Sequence, residues 1–478
     1  MVTSKRGLAG LLSLGLSVAA GCGARSALDT GASDRGGALG HGGSGGTGGA
    51  GGEGGSTVPP LPCRYDVMGG PVVAVSIPDR HAESPAMVTT NGDPGARPLE
   101  VALQYVASGG SSPLHPDNPV VRLMLQADTP EVTEGATVVA GVESHSYGLM
   151  VRSTSGDRLL LTWFTDLAGS GRLAARTIGV ADNSLGAILD VDAGASGAAG
   201  LAAGARLTSA GSLSGSGHAI TWRRNPNPGG PRPTSLAILD DDGALQAGPH
   251  DLTPFLDTPP GAHVAWTGSS YVAAVAYGDD CPVGEALCTP RSVTVLRYHP
   301  PADGGDPIEV VATIAADVES IPQRPRLLNY TGRTWLVWGE SGSTTASDQR
   351  VRLVELDPSG EPLGASSLVA EVPLGAPVQG HASDQGIVLA WPAPSGDDGP
   401  PDMPGVFELH VLALDHDGNE LGVVAPIPIT TPQAVGPSIV HLGGSPRSLA
   451  LAWSGYREGG GTDVTYLARL RCVEAVAR

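Results

Sequence analysis

The chain has 478 residues, among them 70 glycines and 41 prolines, and only 16 % are charged, with a formal net charge of −20. That charge excludes recognition of nucleic acid or anionic lipid through a basic patch, and the glycine and proline content opposes long helices. Aromatic residues make up 4 % of the chain, so any packing carried by rings rests on a few positions.

Lys5 and Arg6 precede an apolar run from Gly7 to Ala20, fourteen residues long. A bilayer span needs about 20 residues, so the run fits the h-region of an export signal. Ala19, Ala20 and Gly21 then lead into Cys22. This arrangement resembles the lipobox of bacterial lipoproteins, with alanine at position 19 where the family has leucine. The resemblance implies lipidation of Cys22 and anchorage in the cell envelope. Gly23, in place of an aspartate retention signal, points to the outer membrane. Ordinary signal cleavage after Ala20 is the alternative.

Residues 23–60 hold almost no branched apolar side chains and cannot bury enough surface to offset the entropy of ordering. A Gly/Ser chain of this length spans roughly 30–40 Å as a coil, which reads as a tether. GTGGAG at 46–51 and GGSGG at 42–46 match a dinucleotide fingerprint and a nucleophile elbow. Neither follows a strand or opens a helix, so both are composition alone. The chain thus divides into a signal at 1–21, a tether at 22–62 and a body at 63–478.

In the body, short runs of Val, Leu, Ala and Thr alternate with Gly, Pro, Asp and Ser, the all-β signature. One aromatic residue closes the clearest strand of each segment: Tyr105, Trp163, Trp222, Tyr277, Trp338, Trp391 and Trp453. Their spacings run from 53 to 62 residues, and five of the seven tryptophans fall on this phase. Prolines precede the anchor in several units (Pro85, Pro260, Pro325, Pro377, Pro437). Downstream comes a turn, LDDDG at Leu239, LDPSGEPLG at Leu356 and LDHDGNELG at Leu414, with Asp and Gly suited to tight hairpins. In the sixth unit the four strands are expected at about 377–382, 386–392, 406–414 and 420–426.

Seven four-stranded units resemble a β-propeller, in the broad class of propeller-like bacterial lipoproteins. Tandem β-sandwich domains are the alternative. The anchor aromatics are expected to pack between adjacent units. Asp415, Asp417 and Asn419 alternate as in a calcium loop but lack its closing glutamate; the related LDPSGEP turn keeps the shape and loses two of the oxygens, so a plain hairpin turn is expected. The twelve histidines show no zinc spacing. The pairs Asp279-Asp280 and Asp397-Asp398 sit in Gly/Pro-rich stretches as solvated loop charge.

Four cysteines remain, an even number in an exported chain, which predicts disulfides. Cys281 and Cys288 flank six residues and can bridge across a loop. Cys63 opens the body and Cys472 ends its last strand. Pairing the spare strand at 71–77 with 464–472 would close a ring and bring these two together. No catalytic residue, metal or cofactor is read from the sequence. The function read is a membrane-tethered extracytoplasmic propeller that binds or scaffolds an unidentified protein or glycan. The alternative is a carbohydrate hydrolase or lyase, its carboxylates converging on the central channel.

Overall fold

The computed structural model describes thirty strands between Cys63 and Glu474, together with some of the turns that join them. The signal, Cys22 and the tether lie outside the described residues, as do Tyr277, Cys281 and Cys288. Among the described residues there is no helix.

The strands β1 (Cys63–Val67) and β2 (Val72–Val75) come first in the chain and pair with the last one. Sheet I holds β3 (Arg80–Thr89), β4 (Glu100–Gly109), β5 (Val120–Gln126) and β6 (Val132–Val138). Sheet II holds β7 (Gly148–Arg152), β8 (Arg158–Leu167), β9 (Ser170–Gly179) and β10 (Leu189–Gly197). Sheet III holds β11 (Thr208–Gly211), β12 (His218–Arg223), β13 (Thr234–Leu239) and β14 (Leu245–Asp251). Sheet IV holds β15 (His263–Trp266), β16 (Tyr271–Ala276), β17 (Ser292–Tyr298) and β18 (Ile308–Ala315).

Sheet V holds β19 (Ile321–Tyr330), β20 (Arg333–Ser341), β21 (Asp348–Leu356) and β22 (Ser367–Pro373). Sheet VI holds β23 (Gln379–Ser383), β24 (Gly386–Pro394), β25 (Phe407–Leu414) and β26 (Glu420–Val423), with β27 (Ile427–Ile429) also on β25. Sheet VII holds β28 (Ser438–Gly443), β29 (Ser448–Tyr456) and β30 (Asp463–Glu474), with β1 and β2 both on β30. Every pairing is antiparallel, and sheets I to V are meanders in chain order; β27 on β25 and β1 and β2 on β30 depart from that order. The strands expected in the sixth unit coincide with β23 to β26 within a few residues. Val72, Val73 and Val75 lie against Leu467, Tyr466 and Thr465, the pairing expected of the spare N-terminal strand.

The first strand of each sheet touches the first strand of the next, from β3 through β7, β11, β15, β19 and β23 to β28, and β28 touches β3. Burial follows this stacking. Where side chains are described, the second and third strands are the more deeply buried, wholly so in β13 and β16, whereas the fourth strands β14, β18 and β22 are half-buried to exposed. Pleating assigns alternate residues to opposite neighbours. In β20, Trp335 and Val337 pack with sheet VI, while Leu336 and Trp338 pack with sheet IV.

The Leu-Asp turns serve the same stacking. In each, one carboxylate oxygen accepts the amides two and four residues on: Asp240 from Asp242 and Ala244, Asp357 from Ser359 and Glu361, Asp415 from Asp417 and Asn419. Gly243, Gly360 and Gly418 adopt φ of 87°, 96° and 85°, the left-handed region that glycine enters without steric cost. Each turn also rests on the preceding sheet: Gly360 sits above Val272 and Val295, and Gly418 above Leu353. The His416 ring stacks on Trp335, whose Nε1–H donates to the His416 carbonyl at 3.0 Å.

Gly386 opens β24 with φ 117°, and a Cβ there would stand 2.1 Å from the Leu414 carbonyl oxygen. Gly386→Ala is expected to cost about 2–3 kcal/mol in a denaturant titration, from backbone strain plus the clash. Gly332→Ala, with φ 81° and open space around it, should cost only about 1 kcal/mol.

Candidate functional site

Six of the seven anchor aromatics lie on the second strand of successive sheets, and Tyr277 directly follows β16. The side chains of Tyr105 and Trp163 lie outside the described residues. Trp222, Trp338, Trp391 and Trp453 are buried, each in a cluster shared with the preceding sheet. Trp222 Nε1–H donates to Asp192 Oδ2 of sheet II at 3.2 Å. Trp391 stacks on His410 and Trp453 on Tyr466. These rings are wedges between sheets and offer no open stacking face.

Cys63 and Cys472 are described by backbone alone: Cys63 lies opposite Glu474 and Cys472 opposite Tyr65. The acidic pairs at 279–280 and 397–398 lie outside the described residues. The calcium-like turn spends its oxygens internally, since Asp415 Oδ2 also accepts from Asn419 Nδ2 at 2.9 Å. Among the described residues no group of three His, Cys, Asp or Glu side chains converges as a metal site would need.

The residues that do converge are cationic, and sequence reading passed over them. The first strand of sheet V carries Gln323-Arg324-Pro325-Arg326. Proline has no N–H for the ladder, and the register slips there. Gln323 pairs with Gly339 and Arg326 with Val337, so Arg324 and Pro325 together oppose Trp338. This is a β-bulge, which re-aims side chains at a strand edge. Arg324 takes φ 50°, the one non-glycine residue in the left-handed region among the described residues. Pro85 does the same in sheet I, where Ser84 and Pro85 oppose Tyr105. The proline that precedes an anchor in the sequence is thus a bulge facing that anchor, in both of these sheets.

The bulge delivers both arginines to a narrow cleft between sheet V and the segment that leads from β22 to β23, lined also by Gln323, Gly339, Gln349 and Val378. Arg326 is 5 % exposed. Burial pulls its guanidinium down to about 10, and the nearby charge of Arg324 pulls in the same direction. Burial likewise lowers Arg324. The Arg326 Nε–H meets no acceptor, although the residue is otherwise engaged. Gln349 donates through Nε2 to the Ala376 carbonyl at 2.7 Å, which leaves its Oε1 without a donor. Gly339 makes room for that oxygen, since a Cβ there would approach it to 2.9 Å.

Elsewhere in sheet V arginines are matched by carboxylates. Arg350 and Arg352 share Asp317 and the buried Glu340, whose Oε1 also accepts from Trp338 Nε1–H at 3.0 Å. Arg333 forms a two-pronged pair with Glu355. Other polar groups line the first strands nearby: His263 Nδ1 accepts from the Leu327 amide at 3.2 Å, and Asn329 Nδ2 donates to the Trp266 carbonyl at 2.8 Å.

No protein-family model matches the chain, and no curated protein matches it. Solved structures with some similarity include the α-L-arabinofuranosidase from Lactobacillus brevis (12 % identity, 60 % of this chain and 94 % of that one, TM-score 0.32). The phage phi92 endosialidase matches at 9 % identity over 87 % of this chain and 70 % of that one, TM-score 0.42. Prolyl oligopeptidase B from Galerina marginata matches at 8 % over 74 % and 45 %, TM-score 0.39. At that distance they assign neither fold nor activity to the chain.

Two histidines make stability depend on pH. Burial lowers His218 and His381 from the ordinary 6.5 to about 4, and Asp241 Oδ1 lies 3.8 Å from His218 Nε2. Between pH 6.5 and about 4 the unfolded chain takes up protons that the folded chain refuses, so stability falls as pH drops through that window. Denaturant titrations should lose about 2 kcal/mol per histidine from pH 7 to pH 5. His218→Leu should remove about half of that slope.

Proposed function

We propose that the seven sheets are the blades of a β-propeller, with β1 and β2 completing the seventh, and that this body is a ligand-binding module held at the cell envelope. The observation that carries the reading is the order of contacts among first strands, which runs through all seven sheets and returns from β28 to β3. Sheets I to V are four-stranded meanders in chain order, whereas sandwich domains use Greek-key connections. Two chain ends sharing one sheet leave fewer free edges, which is how closed β-architectures avoid edge pairing.

The anchor is a lipid on Cys22, the tether is 22–62, and the outer membrane is the site of residence. Disulfides Cys63–Cys472 and Cys281–Cys288 complete the proposal. The β1–β30 register sets the first pair two positions apart on neighbouring strands, a diagonal of roughly 7–8 Å between Cα atoms, so its formation requires the strand ends to shift.

Binding is preferred to hydrolysis because of where buried carboxylates go. Glycosidase chemistry needs two carboxyl groups about 5–10 Å apart across a substrate. The carboxylates buried among the described residues, Asp192 and Glu340, face a tryptophan N–H and, for Glu340, arginines as well.

Electrophoresis through gels containing a panel of acidic and neutral polysaccharides tests the reading. Retardation without release of reducing ends is the expected result, and release of reducing ends would establish the hydrolase alternative. For the anchor, labelled palmitate should enter the protein in a lipoprotein-competent host. Cys22→Ser should lose the label and shift the protein to the soluble fraction; unchanged membrane retention would overturn lipidation.

A further inference from the structure

One of the three Leu-Asp turns covers a pair of groups that the other two lack. His218 opens β12 opposite Leu239, the residue that leads into the turn of sheet III. The corresponding partners are Thr334 opposite Leu356 in sheet V and Ile387 opposite Leu414 in sheet VI. Two positions after the leucine stands Asp241, where the sister turns carry Pro358 and His416. Those turns fold on the same aspartate and glycine without either group, so closing the hairpin does not account for the pair. We infer that the turn at 239–245 is an acid-released flap, which lifts off sheet II when His218 takes up a proton.

The geometry is that of a group held without partners under a light cover. Pleating sets His218 on the face of β12 shared with Ile220 and Trp222, which pack on Leu160, Leu173, Ala175 and Val191 of sheet II. The His218 side chain is 0 % exposed, and neither ring nitrogen makes a hydrogen bond. Asp241 Oδ1 stands 3.8 Å from Nε2, beyond hydrogen-bonding distance, and is itself buried without a donor. Such unpaired polar atoms are costly in the interior, and water would reach all three once the turn lifts. The cover is held by Gly243, seated over Leu160, Ala175 and Leu189, and by the solvent-exposed pair Arg158–Asp242, a kind of contact that contributes little.

The charged groups on this side are Asp240, Asp241 and Asp242 of the turn and, from sheet II, Arg158 with Asp242, Arg176 turned to the Gly186 carbonyl, and Asp192 under the Trp222 N–H. From sheet IV the Tyr271 hydroxyl donates to the neighbouring Gly217 carbonyl at 2.7 Å. Burial holds His218 near 4, although the charge of Asp240 acts to raise it. In the lifted turn the ring meets solvent and returns toward its ordinary 6.5. A proton therefore prefers the lifted form. Linkage gives the sign: opening is unaffected above pH 6.5 and grows as pH falls from 6.5 toward 4. Asp241 works the other way, because burial raises its carboxyl in the seated turn and a proton there favours seating. Release in acid thus identifies the histidine as the group that responds. Lifting uncovers Leu160 and Leu189, the latter next in sequence to the exposed Ile188, so apolar surface hidden at neutral pH is presented in acid.

Hydrogen exchange of the full-length chain, read by mass spectrometry at pH 7.5 and pH 5 and corrected for the intrinsic pH dependence of exchange, tests the flap. Protection of the sheet III turn should fall by about thirtyfold between the two values, while the sheet V turn at 356–362, which holds no histidine, should change by less than about threefold. Equal loss in both turns would mark a general loosening in acid and overturn the flap, as would unchanged protection of the sheet III turn. This comparison needs no variant. His218→Leu should keep the sheet III turn at its neutral-pH protection at pH 5 as well, and a full pH response in that variant would equally overturn the inference.

Discussion

Everything in this structure depends on sheets burying both of their faces against other sheets. A four-stranded meander has too little apolar area to stand alone in water, so its second and third strands must be covered from both sides. The chain meets this with side chains of two destinations on one strand. Trp335 and Val337 turn toward sheet VI while Leu336 and Trp338 turn toward sheet IV. The same division appears in β24, where Leu389 and Trp391 face sheet V and Val388 and Ala390 face sheet VII. With so few aromatics in the chain, the second-strand tryptophans Trp222, Trp338, Trp391 and Trp453 carry the packing against the preceding sheet. Their N–H groups must then find buried acceptors, which explains why Asp192 and Glu340 are buried at all.

The Leu-Asp turns join local and long-range order. Their aspartate folds the loop by accepting two backbone amides, an interaction confined to five residues. Their glycine permits the backbone angle and also lets the loop lie flat on the neighbouring sheet. Where the turn carries a larger residue it becomes a contact in its own right. His416 covers Trp335, and the Pro358 carbonyl accepts from Thr267 at 2.6 Å. One motif thus closes a hairpin and docks it.

Charge is handled with economy among the described residues. Arginines on exposed strands meet carboxylates from the same or an adjacent strand, as Arg297 meets Glu309. Such surface pairs contribute little to stability individually, but they leave no unbalanced charge inside.

Much of the architecture was legible because it is written in short-range chemistry. Strand periodicity, the Asp–Gly turns and the recurring aromatic at intervals of 53 to 62 residues each need only a few neighbouring residues to specify them. The N-terminal strand was also readable, since the seventh unit showed three strands of its own. The candidate site was not. Arg324 and Arg326 look in sequence like two solvated charges beside a proline, and His218 like one of twelve scattered histidines. Burial and proximity to Gln349 and Gly339 are set by a register slip and by which sheet stacks on which. Sequence alone therefore determined the repeat, its strands and its turns, because hydrogen-bonding and pleating act over a few residues. Only the tertiary structure decided that two arginines share one cleft, because that requires a register slip in β19 to meet the segment that follows β22.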